Sequence, residues 1–108
     1  MCHCLECQKR TGSVFGTQAR FPRERVTIEG RANRWTRLGD SGQSGTFNFC
    51  PVCASTVYWE SAGAPGFISV AVGAFADPGF PPPRVSVYEA RRHPWALAAA
   101  ELPLEHEF

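Results

Sequence analysis

Two strand patterns flank a cysteine turn in residues 46–60, which read Thr-Phe-Asn-Phe-Cys-Pro-Val-Cys-Ala-Ser-Thr-Val-Tyr-Trp-Glu. Apolar and polar residues alternate on both sides of the turn, and this period of two is typical of a strand with one buried face. Pro51 suits the first central position of a turn that brings Cys53 back beside Cys50. The stretch therefore predicts two short strands around a metal-binding knuckle.

Similar alternation recurs along the rest of the chain. It involves Phe15, Thr17, Ala19 and Phe21, then Val26 and Ile28, then Ile68, Val70 and Val72, and finally Val85 and Val87. Glycine and proline clusters separate these segments, at Gly30 and in residues 39–42, 63–66 and 77–83. Short strands at this spacing predict an antiparallel all-β domain. We interpret residues 1–108 as one such domain.

Two segments have helical character. Leu5 to Thr11 can form about one helical turn, closed by Gly12 where a left-handed residue is favoured. Pro94 to Glu101 is rich in alanine and begins with proline, which suits the first position of a short helix. The sequence therefore predicts two minor helices beside the strands.

Composition excludes several classes of function. The net charge is +1, so no global field attracts nucleic acid or an anionic membrane. No apolar run approaches the length of a transmembrane helix, and no signal-peptide pattern is present. Thiols committed to metal belong in a reducing compartment, so we expect a cytoplasmic protein without nucleic-acid or membrane partners.

All five cysteines lie in two tight clusters, Cys2-His3-Cys4-Leu5-Glu6-Cys7 and Cys50-Pro51-Val52-Cys53. Disulfides between such near neighbours close short loops and gain little, whereas a soft divalent ion needs thiolates that converge from short spacings. In an extended segment Cys2 and Cys4 point to the same side and His3 to the other. Both clusters are therefore candidate metal sites.

The number of ligands per ion stays open at this level. Cys2, Cys4 and Cys7 provide three ligands, the count of a catalytic zinc with one open position. A single closed site formed by Cys4, Cys7, Cys50 and Cys53 fits the spacing as well. Cys50 and Cys53 could also be ordinary buried thiols or a redox pair, but a redox motif of this kind normally has a βαβ context.

The ordered motifs resemble the glutathione-dependent formaldehyde-activating enzyme family, which also contains centromere protein V. The similar stretches run from Cys2 to Ser13, from Phe49 to Ser55, from Val85 to Tyr88 and from Arg91 to Trp95. The resemblance covers essentially the whole chain. It implies a β-tent fold of short antiparallel strands with two zinc sites.

The same resemblance implies a carbon–sulfur lyase-like activity, in which zinc assists the addition of the glutathione thiol to formaldehyde or acts on a related thiol adduct. Cys2, Cys4 and Cys7 would form the catalytic site, and Cys50 and Cys53 half of a structural site. Lys9 and Arg10 follow the triplet directly and are candidates for binding the carboxylates of glutathione. A non-catalytic structural zinc module or an inactive family member is the alternative.

Two departures from the family pattern add expectations. The family completes its structural site with a C-x-C pair before the triplet, and the chain begins after that point. We therefore expect a domain that lacks its leading strands. Cys50 and Cys53 should lie near an open sheet edge and bind metal weakly, and that edge could pair with a second copy of the chain to form a homo-oligomer. The family has Gly where this chain has Ala54, which costs about 1 kcal/mol if φ there is positive.

The remaining aromatic and imidazole side chains receive ordinary roles. We expect His3 to be a surface residue or a neighbour of the metal ligands, and not a ligand itself. His93 and His106 are expected on the surface. The three tryptophans, Trp35, Trp59 and Trp95, are expected in the core.

Overall fold

A five-stranded antiparallel sheet is the main element of the computed structural model, which describes residues 1–39, 41–96 and 105–107. The sheet belongs to one of two compact units, Gln18–Asp77, which we call the sheet unit. The terminal unit combines Met1–Thr17 with Pro78–Phe108. The strands of the sheet are β1 (Gln18–Pro22), β2 (Asn33–Leu38), β3 (Ser44–Phe49), β4 (Thr56–Ser61) and β5 (Phe67–Ala71).

Their order in the sheet is β1-β5-β4-β3-β2, and every neighbouring pair is antiparallel. Phe47 pairs with Trp59 across β3 and β4, their rings stack with centroids 5.3 Å apart, and both residues are buried. Polar residues of the two strands lie on the opposite face. The all-β prediction and the alternation around the knuckle are confirmed.

One predicted strand is absent and another ends earlier than predicted. Val26 and Ile28 are not in a strand, because the chain makes a 3₁₀ turn at Arg23–Arg25 and the Arg23 guanidinium donates to the carbonyl of Val26 at 3.0 Å. Val72 begins a second 3₁₀ turn after β5. Conversely, the sequence pattern does not predict β2, since its residues are almost all exposed and leave no apolar periodicity to detect.

Helix α1 (Leu5–Thr11) of the terminal unit agrees with the prediction. Gly12 ends it in the left-handed conformation, with φ 67°, and donates its N–H to the Gln8 carbonyl at 2.9 Å. Glycine reaches this conformation without the steric cost of a Cβ atom. The helix predicted from Pro94 to Glu101 falls largely outside the described residues, and Pro94 and Trp95 lie in a turn.

The other strands of the terminal unit are short. Strand β6 (Val85–Ser86) pairs in parallel with β7 (Glu105–His106). Val85 is largely exposed while Ser86 is fully buried, so the expectation that the valines face inward is wrong for Val85. The side chain that points inward here is a hydroxyl with a buried hydrogen-bond partner.

The three tryptophans divide differently from the expectation. Trp59 is buried against Phe47, as predicted. Trp35 is 52% exposed and Trp95 68% exposed, so their assignment to the core is wrong. Trp35 lies on β2, the last strand of the sheet, where only β3 pairs with it among the described residues.

Candidate metal centre

Three sulfur atoms come together near the start of the chain. The Sγ atoms of Cys2, Cys4 and Cys7 all lie within 4.8 Å of one another, the one such group of metal-ligating side chains among the described residues. Zinc with Zn–S bonds of about 2.3 Å places tetrahedral sulfur ligands about 3.8 Å apart. The cluster therefore could hold a metal ion with small adjustments of its side chains.

Backbone pairing on two sides fixes the position of Cys2. Cys2 and Gly16 exchange two hydrogen bonds, of 2.8 and 2.9 Å. On the other side the N–H of His3 donates to the Val87 carbonyl at 3.0 Å, and the N–H of Val87 donates to the Met1 carbonyl at the same distance. The first ligand thus lies on a short extended segment held from both edges, which leaves its side chain little freedom of direction.

The other two sulfurs belong to helix α1. Cys4 is the N-cap residue, and its Sγ accepts the backbone N–H of Cys7 at 3.3 Å. The first turn of a helix has unsatisfied N–H groups, and the Cys4 sulfur accepts one of them. The helix start therefore positions both Cys4 and Cys7.

Hydrogen bonding distributes the charge unevenly over the cluster. The pKa of the Cys7 thiol lies far below its usual value, because Cys2 and Cys4 form hydrogen bonds with its sulfur. The positive charge of Arg10 lowers this pKa further. Hydrogen bonds with Cys4 and Cys7, together with burial, raise the pKa of Cys2. Cys7 therefore favours the thiolate, the form that binds metal, more than Cys2 does.

Arg10 lies close to this thiolate. A Cβ atom built on Gly16 would stand 3.2 Å from Nη2 of Arg10 and 3.5 Å from the Cβ of Cys7. The absence of a side chain at Gly16 leaves room for the guanidinium beside the cluster. Lys9, the other candidate for substrate binding, is exposed and pairs with Glu6.

A buried polar network, which the sequence does not predict, adjoins the cluster. His3 is fully buried, and its Nε2 lies 3.2 Å from the Ser86 hydroxyl. The carboxylate of Glu89 is also buried and accepts a hydrogen bond from Nδ1 of His106 at 2.6 Å. The expected surface position of His3 is therefore wrong. Its partner lies more than eighty residues away in sequence, and the alternation of neighbouring residues does not predict such a distant contact.

Burial and hydrogen bonding set the protonation of this network. Burial lowers the pKa of His3, so its imidazole is neutral at pH 7. Burial alone would raise the pKa of Glu89, but hydrogen bonds from Ser86 and His106 outweigh it and lower that pKa. His93 is half-buried, and its Nε2 lies 2.9 Å from Oε1 of Gln8.

Gln8 ties this network to the loop that carries the ligands. Its Nε2 donates to the carbonyl of His3 at 2.9 Å and to that of Arg91 at 3.1 Å. His3 stands between two of the sulfur ligands, so a hydrogen bond to its carbonyl restrains both of its neighbours. Helix α1 therefore contributes both the sulfur of Cys7 and, through Gln8, a hydrogen bond that restrains the segment carrying Cys2 and Cys4.

The knuckle of the sheet unit is folded as the sequence indicates. The carbonyl of Cys50 accepts the N–H of Ala54 at 2.9 Å, and its Sγ accepts the N–H of Val52 at 3.4 Å. Ala54 has φ 62°, a left-handed conformation that favours glycine. Cys53 is exposed, and its hydrogen bonds with Ser55 lower the pKa of its thiol. The knuckle joins β3 to β4, and β3 also pairs with the last strand of the sheet.

Comparison with known proteins supports the assignment made from the motifs. Among the described residues no helix is long and apolar enough to span a membrane. No curated protein matches the chain. The family model of the glutathione-dependent formaldehyde-activating enzyme matches residues 1–91, which include both cysteine clusters. Because this match covers most of its length, the chain belongs to the glutathione-dependent formaldehyde-activating enzyme family.

Proposed function

We propose that the protein is a zinc-dependent carbon–sulfur lyase-like enzyme that adds the thiol of glutathione to formaldehyde, or acts on a related thiol adduct. The observation that carries this proposal is the convergence of the Cys2, Cys4 and Cys7 sulfurs. Family membership supports the substrate class. Cys2, Cys4 and Cys7 are the residues assigned to the metal and to catalysis.

The donor set fits zinc. Thiolates are soft ligands that select zinc and related ions over magnesium or calcium, and the hydrogen-bonded Cys7 sulfur favours the charged form. Three protein ligands leave a fourth position open, as in catalytic sites. Zinc held there would supply Lewis acidity toward a carbonyl oxygen or a place for the substrate's sulfur.

The chain's own residues supply orientation and charge. Three thiolates exceed the charge of a divalent ion, and Arg10 beside Cys7 offsets part of the excess. The same guanidinium can bind a substrate carboxylate with two parallel hydrogen bonds, while Lys9 can attract it from the exposed side of the helix. In the reaction a carbon–sulfur bond forms, the carbonyl π electrons move to oxygen, and the thiol proton ends on that oxygen.

The role of the knuckle distinguishes the enzyme from a structural module. In the enzyme proposal Cys50 and Cys53 belong to a second, structural metal site. In a non-catalytic module, one ion is closed by Cys4, Cys7, Cys50 and Cys53. The first arrangement gives an exchangeable ion at the triplet, and the second gives a single ion that both clusters hold tightly.

Zinc content and turnover of matched variants test the proposal. We expect Cys7→Ser to lose the exchangeable zinc and to reduce formation of S-hydroxymethylglutathione, followed by exchange NMR, to the uncatalysed rate. Cys53→Ser should keep turnover. Loss of the same single ion in both variants, with no turnover in the unmodified protein, would establish the closed structural site. Turnover by zinc-free protein would overturn the mechanism.

A further inference from the structure

The polar face of the sheet unit contains a groove of about 460 Å³ that the proposed reaction does not use. Its floor is formed by a row of paired residues across three strands, in which Asn48 stands opposite both Arg34 and Tyr58. Glu60 of β4 and Arg23, from the turn after β1, complete its polar lining. The volume is within the range of small-molecule sites in proteins.

Asn48 is the unusual residue of this groove. It is only 4% exposed, and its Nδ2 donates long hydrogen bonds to the carbonyls of Thr46 and Tyr58, at 3.5 and 3.4 Å. Its Oδ1 is buried and has no hydrogen-bond partner among the described residues. A buried acceptor without a donor destabilises the folded protein. A ligand that places an N–H or O–H group on the floor of the groove would remove this cost.

The groove contains charged side chains of both signs that do not form ion pairs with each other. Arg34 and Glu60 are exposed and make no ion pair with any other residue in the described part of the chain. Arg23 is held in place by its hydrogen bond to the Val26 carbonyl. Two guanidinium groups suit a carboxylate, whereas Glu60 and the Asn48 oxygen suit an ammonium or amide donor.

A second, smaller hollow of about 150 Å³ shares Arg23 and Glu60 with the groove and continues along the loop of Pro65 and Gly66. The two charged residues therefore stand at the junction of two hollows. An elongated ligand could cross this junction, with its charged ends on either side.

We propose that the groove binds a small zwitterionic amino acid or dipeptide, with its carboxylate on Arg34 and Arg23 and its amino or amide N–H groups on Asn48 and Glu60. The site needs neither metal nor a thiol and is built entirely from the sheet unit. A simple anion fits less well because Glu60 repels it. A nonpolar ligand leaves the Asn48 oxygen without a donor.

Titration with glycylglycine, monitored by amide chemical shifts of the full chain, tests the proposal. We expect saturable shifts at residues 34, 46, 48 and 60, and an affinity about tenfold weaker in Arg34→Ala, the typical effect of losing a charge-assisted hydrogen bond. Arg31→Ala, an exposed arginine outside the groove, should bind as the unmodified protein does.

Two analogues separate the halves of the ligand. N-acetylglycine lacks the ammonium group and glycinamide lacks the carboxylate, so each should bind more weakly than glycylglycine. Glu60→Gln should weaken the binding of glycylglycine, and should not weaken that of N-acetylglycine, because the anion loses a repulsion. Equal binding of acetate would show an unselective anion site, and shifts that do not saturate, or an affinity that is unchanged in Arg34→Ala, would overturn the proposal. Because Cys7→Ser leaves the groove intact, retained binding there separates this test from that of the enzyme proposal.

Discussion

The Sγ atom of Cys4 lies 3.3 Å from the backbone nitrogen of Cys7 and accepts its N–H. The same sulfur belongs to the cluster that could hold a metal ion. Cys4 thus begins helix α1 and offers a ligand at once. The start of the helix and the geometry of the metal centre are coupled through one atom.

Replacement of Cys4 by two different residues separates these roles. Serine is a favoured N-cap residue, whereas alanine is not, and loss of an N-cap costs about 1 kcal/mol. In chelator and reductant, we expect Cys4→Ala to have a free energy of unfolding about 1 kcal/mol below that of Cys4→Ser, measured by urea denaturation. With zinc present, both variants should bind less metal than the unmodified protein. Equal stabilities in chelator would contradict the capping role.

Ala54 offers a stabilising substitution. Its φ of 62° is left-handed, a conformation that costs a non-glycine residue roughly 1–2 kcal/mol. Glycine avoids this cost, but its greater freedom in the unfolded state lowers the free energy of unfolding by about 0.4–1 kcal/mol. We therefore expect Ala54→Gly to raise the free energy of unfolding by up to about 1 kcal/mol. The control is Ala62→Gly, at an exposed position without positive φ, which should lower it. The reverse order in thermal or urea unfolding would show that the knuckle backbone is unstrained.

Glu89 makes the stability depend on pH. Hydrogen bonds from Ser86 and His106 hold its pKa below the usual 4.5, against the effect of burial. A carboxyl group with a lowered folded pKa stabilises the protein above its unfolded pKa, and this contribution is lost as pH falls through the folded value. We expect Glu89→Gln to be less stable at pH 7 and to lose less stability between about pH 5 and about pH 3.

Unfolding curves at several pH values measure this effect, with Glu29→Gln as the control at an exposed position of the sheet unit. The control should retain the slope of the unmodified protein. If the free energy of unfolding changes with pH by the same amount in Glu89→Gln and in the unmodified protein, the Glu89 carboxylate does not stabilise the fold through its hydrogen bonds.

Strand β2 gives an expectation about assembly. It is the last strand of the sheet, and it exposes Trp35 and Leu38, the latter by 69%. Exposed edge strands with apolar side chains tend to pair with other chains. We expect concentration-dependent self-association in sedimentation velocity, reduced in Leu38→Lys because a charge on the edge disfavours pairing. A monomer at all concentrations would exclude an interface at this edge.

Much of the fold can be read from local patterns. The alternation around the knuckle predicts β3 and β4, and Gly12 predicts the end of α1, because these features depend on neighbouring residues alone. Strand β2 leaves no such pattern, since an exposed strand needs no apolar face and is held by its hydrogen bonds to β3. The exposure of Trp35 follows from that edge position, which local sequence does not contain.

Local sequence is enough to predict the candidate metal cluster, because closely spaced thiols and a helix start at Cys4 bring three sulfurs together over a few residues. The surroundings of these ligands are a matter of tertiary structure. His3 is buried against Ser86, and Asn48 lines a groove together with residues of the neighbouring strands. These arrangements depend on segments that are distant in the chain or on different strands, and sheet pairing and burial bring those segments together.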